Sequence, residues 1–122
     1  MSVDCYRDLI VWQKAMDLVV ICYEITKGFP LNEVYGLTSQ LKRAAVSIPA
    51  NIGEGYGKHG LGEYIHFLGI AQSSLRETET LLLIAKRLNF ISAEELNNAL
   101  TLSTEISKMI AGLTRSLRNK QN

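Results

Sequence analysis

The sequence predicts an all-α protein, an antiparallel up-down-up-down four-helix bundle, on three observations. Apolar residues recur at alternating steps of three and four along separate segments, no stretch alternates apolar and polar as a half-buried strand does, and the breaks between segments are short. The 122 residues suffice for one sizeable core, so a single domain spanning 1–122 is expected. With 47% hydrophobic and 20% charged residues, 9 Gly and only 2 Pro, the chain has an ordinary globular balance, which excludes collagen-like, mucin-like and acidic-tail classes.

The first helix is expected over about 8–28. Leu9, Trp12, Met16, Val19 and Tyr23 form one apolar stripe, and Ala15, Leu18, Cys22, Ile25 and Phe29 form a second, so a wide face should be buried. Gly28-Phe29-Pro30 should end it, Gly as a C-terminal cap and Pro as a residue that cannot continue the ladder. Asn32 is then placed to cap a short turn through Tyr35.

The second helix is expected over about 37–56, with Leu37, Leu41, Ala44, Ile48 and Ile52 inward. Its small residues Ala44, Ala45, Ser47, Ala50 and Gly53 would let a neighbour approach closely. Pro49 removes one backbone bond to Ala45, so continuation beyond it depends on tertiary contacts. A polar stripe also runs along this helix, through Gln40, Arg43, Ser47, Asn51 and Glu54. It reads either as a solvent face or as a subunit interface in which Arg43 pairs with Glu54 or Glu77.

The third helix, about 61–89, carries the strongest periodicity in the chain: Leu61, Tyr64, Leu68, Ala71, Leu75, Thr78, Leu82 and Ala85, with Phe67, Ile70, Ser74, Leu81, Ile84 and Leu88 beside it. Ser92 followed by Glu95 reads as a capping box opening the fourth helix, about 93–118. There Leu96, Leu100, Ser103, Ile106, Ile110, Leu113 and Leu117 form the stripe, with Leu102 and Met109 at its side and a polar tail after it.

Motifs of catalytic chemistry are nearly absent. Glu63-x-x-His66 is half of a di-iron bundle motif, but the one other histidine, His59, follows Tyr56 at that spacing, so no metal site and no cofactor are expected. Gly55-x-Gly57-x-x-Gly60 has dinucleotide-loop spacing but follows a helix rather than a strand. Gly57-Lys58 is followed by His59 where a phosphate loop needs Ser or Thr. No GxSxG elbow or cysteine-histidine neighbour is present, so no catalytic residue is assigned and no enzyme is expected. Cys5 and Cys22 form neither a disulfide framework nor a zinc knuckle and read as reduced thiols. The acid at position 4 argues against a secretory leader, and the longest apolar runs are too short to span a bilayer. The expectation is a cytoplasmic protein with no membrane partner.

Thirteen Lys+Arg against 12 Asp+Glu leave +1, so any polyanion would have to be met by a local patch. Lys42 and Arg43, with Lys58 and His59 of the glycine-rich connection, suggest one basic end of the bundle. Lys108, Arg115, Arg118 and Lys120 form a second cluster with no acid after Glu105. Each cluster reads either as a solvated face, partly explained by the helix dipole, or as a contact to a nucleic-acid backbone.

The run LTSQLKRAAVSIPANIGEG, preceded by DLIVWQKAMDL and followed by EYIHFLGIAQSSLRETETLL, resembles the four-helix-bundle family of 23S rRNA intervening-sequence proteins over nearly the whole chain. The matching motif positions are Gln40, Arg43, Ser47, Pro49, Asn51, Glu54, Gly55, Ser74 and Glu77. The resemblance implies a small bacterial protein that assembles into a ring-like homopentamer. It also implies kinship with the pentameric accessory variability protein of retroelements, which binds a reverse transcriptase and nucleic acid.

Two functions follow as expectations. In the first, a ring repeats weak patches made of Lys42, Arg43, Lys58, His59, Arg115 and Arg118, and associates with structured RNA or DNA by multivalency. In the second, the ring is an adaptor that docks a protein such as a reverse transcriptase or another nucleic-acid enzyme, and its basic residues only assist.

Overall fold

Residues 5–122 are described by the computed structural model; positions 1–4, on which the expectation of no leader partly rests, lie outside them. The apolar steps fold into four helices, α1 (Ile10–Thr26), α2 (Leu37–Tyr56), α3 (Leu61–Arg87) and α4 (Ala93–Gln121), and no strand occurs among the described residues. Cross-helix contacts give the directions. Tyr56 meets Tyr64 and Ser47 meets Ser74, Gln72 meets Ser107, Lys14 meets Glu105, and Lys42 lies over Tyr23. Consecutive helices therefore run antiparallel, and α1 closes the bundle against α4.

Leu18, Leu41, Ile48, Ile52, Leu68, Leu75, Leu82, Ile106 and Ile110 fill the centre. The three buried hydroxyls among the described residues are satisfied: Thr26 donates to the Tyr23 carbonyl at 2.8 Å, Thr78 to the Ser74 carbonyl at 2.8 Å and Ser103 to Glu79 Oε2 at 2.7 Å. At one end of the bundle Phe29 and Phe90 pack 5.6 Å apart and join the two connections. No helix among the described residues is long and apolar enough to cross a membrane.

Several expectations are corrected. In α1 the buried stripe is Val11, Ala15, Leu18, Cys22 and Ile25, continued by Phe29 beyond the helix. Of the other stripe Leu9, Trp12 and Val19 are only partly buried against the core, and Met16 and Tyr23 are exposed, because among the helices α2 and α4 are the ones that pack against α1. Leu9 has extended backbone (ψ 125°), which detaches Tyr6–Asp8 as a separate 3-10 turn and starts α1 at Ile10 rather than 8. Gly28 takes no left-handed conformation. α1 instead ends by tightening, with the Gly28 and Phe29 N–H groups bonded to the Ile25 and Thr26 carbonyls. Asn32 caps nothing, since it lies inside a 3-10 turn; Glu33 Oε1 accepts the Leu37 N–H at 3.2 Å and serves α2 instead.

α2 runs through Pro49, whose ring is buried. α3 stops at Arg87 rather than 89, because Asn89 turns left-handed (φ 62°) and the Asn89 and Phe90 N–H groups return to the Lys86 and Ala85 carbonyls. α4 continues to Gln121 rather than 118, because its tail holds no breaker and Arg118 and Lys120 suit the negative end of the helix dipole. Ser92 and Glu95 exchange both bonds of the capping box at 3.0 Å.

Candidate functional site

The polar stripe of α2 divides in three dimensions. Gln40, Arg43 and Glu54 are exposed, whereas Ser47 and Asn51 are half-buried against α3. Asn51 Nδ2 donates to the Ser47 carbonyl at 2.8 Å and to Ser47 Oγ at 2.9 Å, and Ser47 Oγ shares a 2.8 Å hydrogen bond with Ser74 Oγ. The centre of the stripe is thus a polar seam within one chain. Next to it Gly55 is buried, and α3 approaches so closely that a Cβ there would stand 2.8 Å from the Phe67 Cβ. Glycine at 55 therefore serves helix packing, not a phosphate loop. Pro49 is buried between these features, and Glu77 is exposed on α3.

The basic residues do not gather as the linear sequence suggests. Lys42 and Arg43 lie in the first half of α2, while Lys58 and His59 follow its other end, roughly 24 Å away along the axis at the rise of an α-helix. Lys42 Nζ sits 4.8 Å from the Tyr23 ring centre, and Arg43 donates to Ser39 Oγ at 3.1 Å. The two line a shallow groove of about 390 Å³ with Tyr23, Val34 and Val46. Lys58 is engaged within the chain, 3.4 Å from Glu54 Oε1 and 5.2 Å from the Phe67 ring centre. His59 is exposed. Arg43 and Glu54 therefore have separate partners within one chain, and no ion pair joins Arg43 to Glu54 or Glu77 among the described residues.

Arg115 and Arg118 behave differently. Both are exposed on the last turns of α4, and with Arg76 of α3 they line a groove of about 750 Å³ between these helices. No Asp or Glu side chain lines this groove. Sequence reasoning missed Arg76, because Glu77 and Glu79 stand beside it in the chain. Its signal was positional: Gly69, Gln72, Ser73 and Arg76 recur at helical spacing as an uncharged-to-basic face.

The remaining chemistry-bearing groups are scattered. Glu63 and His66 are exposed, and no three of His, Cys, Asp and Glu gather as a metal would need among the described residues. Cys22 is sealed in the core, and burial pushes its thiol up to about 12. Cys5 Sγ accepts from the Arg7 backbone N–H and Nε, at 3.5 and 3.2 Å, which lowers its pKa from 9.0.

Comparison with known proteins adds two findings. The profile described as 23S rRNA-intervening sequence protein matches residues 7–112. Among solved structures, a Bacteroides thetaiotaomicron VPI-5482 protein of the S23 ribosomal protein family, described as having unknown function, is similar at 27% identity and a TM-score of 0.76. The similarity covers 86% of this chain and 98% of that one. No curated protein gives a significant match.

Proposed function

The chain belongs to the 23S rRNA-intervening sequence protein family, and from that membership and the charge placement above we propose a non-enzymatic oligomeric bundle that associates with structured RNA through basic patches repeated around a ring. The observation that carries this reading is the last half of α4. After Glu105 it holds Lys108, Arg115, Arg118 and Lys120 and no acid, all four are exposed, and none is ion-paired among the described residues. Lys14, Lys27 and Lys58, by contrast, are each neutralised by a glutamate.

A chain of net charge +1 attracts a polyanion weakly on its own, so repetition supplies the affinity. Exposed apolar residues on α1, namely Ile10, Met16, Val20 and Tyr23, support a surface between copies. A homopentamer is the assembly this reading adopts.

Light-scattering mass of the purified protein, alone and with a structured RNA, at low and high salt, tests the reading. A ring mass that gains RNA only at low salt is expected. A ring that never takes up RNA overturns it in favour of a protein-docking adaptor, for example for a reverse transcriptase. A monomer overturns the multivalency on which the affinity depends.

A further inference from the structure

The groove between α3 and α4 brings together groups that are far apart in the chain. Three guanidiniums enter it from two helices, Arg76 from α3 and Arg115 and Arg118 from α4. All three are exposed and none is ion-paired among the described residues. Glu79, which neighbours Arg76 in the chain, is held by Ser103 Oγ at 2.7 Å and does not line the groove. The buried Leu68 and Ile110 form the floor, and exposed Gly69 keeps the groove open above it, since a Cβ there would meet nothing within 4 Å.

We propose that this groove is a phosphodiester-binding channel, in which the backbone of a nucleic acid lies along α3 and α4 and is held by Arg76, Arg115 and Arg118. The proposal rests on the nucleic-acid reading above and adds where the strand lies. Bidentate guanidinium forks suit phosphate oxygens, and neutral donors such as Gln72, Ser73 and Thr114 beside them are the kind that contact phosphate and sugar. The spacing selects a polyanion over a single small anion. Gln121 lies against Gly62 and Ser107 against Gln72, so Arg118 stands beside the first turns of α3 and Arg76 roughly 18 Å further along. One phosphate cannot span that distance, whereas successive phosphates of one strand can. With no aromatic ring in the groove, binding reads the backbone and not the bases.

The test is fluorescence anisotropy of a labelled RNA hairpin and of a DNA hairpin of the same sequence, at about 50 and 200 mM salt. The proteins are the full chain, the triple variant R76Q/R115Q/R118Q, and Gly69→Phe, which puts a ring into the open space of the groove without changing charge. The arginines are exposed, so the triple variant keeps the fold and carries the test should Gly69→Phe lose helicity by circular dichroism. Expected is a loss of about tenfold or more for the triple variant at low salt, with a salt slope shallower by about 2 to 3, and a loss in the same direction for Gly69→Phe. Comparing the two hairpins identifies whether RNA or DNA is the source of the backbone.

Groove variants that bind like the wild type, while K42Q/R43Q does not, overturn the channel and leave the nucleic-acid reading standing. A wild type that binds neither hairpin at low salt removes that reading itself. Displacement of a bound hairpin by inorganic phosphate at matched ionic strength overturns the polyanion assignment.

Discussion

Two glycines give opposite answers to the same substitution. At Gly55 a Cβ would meet the Phe67 Cβ at 2.8 Å and the Tyr64 carbonyl oxygen at 3.3 Å, both on the packed face of α3. Gly55→Ala is therefore expected to destabilise by about 1–3 kcal/mol despite alanine's better helix propensity. Gly69 has open space and an exposed helical position, so Gly69→Ala is expected to stabilise by about 0.5–1 kcal/mol. Urea denaturation of both variants checks the pair, and a Gly55→Ala protein as stable as the wild type would refute the close approach of α2 and α3.

The buried Cys22 thiol makes a second residue-scale prediction. Its folded pKa is raised from 9.0 to about 12 by burial, and that of Tyr64 from 10.0 to about 12 by burial and by Tyr56. Both groups stay protonated in the fold while the unfolded chain ionises. The stability they contribute is therefore fully present below about pH 9 and is lost as pH rises toward 12. Denaturation midpoints should hold up to about pH 9 and fall as pH rises from there toward 12, and Cys22→Ala should flatten the early part of the fall. An equal fall in that variant would assign the effect to other groups.

At the scale of elements, the turn between α3 and α4 is fixed by two adjacent devices. Asn89 supplies the left-handed residue that lets two N–H groups satisfy the last carbonyls of α3, and Ser92 with Glu95 satisfies the first N–H groups of α4. Asn89→Ala should cost up to about 1 kcal/mol, because the short polar side chain of asparagine tolerates the left-handed region better than a methyl group does, and Ser92→Ala about 0.5–2 kcal/mol for the lost cap. Thermal melts measure both. Only the second device could be read from the chain, because Ser-x-x-Glu is a local signature. Asparagine at a left-handed C′ position is a choice the turn geometry makes. The polar stripe of α2 shows the same limit: its spacing was legible, but helical periodicity cannot say whether Ser47 and Asn51 face water, another copy or α3.

For the whole molecule, the exposed apolar residues of α1, Ile10, Met16, Val20 and Tyr23, predict the assembly. Val20 is 60% exposed, so Val20→Glu should leave helicity and monomer stability unchanged while lowering the light-scattering mass. A mass identical to the wild type would place the contact between copies elsewhere. The charge pattern also becomes meaningful only at this scale. Lys42 and Lys58 are in adjacent motifs of the chain but near opposite ends of the bundle, and Arg76, far from Arg115 in sequence, shares a groove with it.

The sequence by itself determined the all-α class, the four helices, their inward stripes and the capping box, because these depend on periodicity and on groups within a few residues of one another. It also carried the family, through a run of motif residues spanning α2 and α3. Only the tertiary structure decided which of two α1 stripes is core, that Ser47, Asn51 and Ser74 form one seam, and which cations are neutralised and which stand together. Those properties depend on which helix lies beside which, and antiparallel packing brings together residues whose distance along the chain bears no relation to their distance in space.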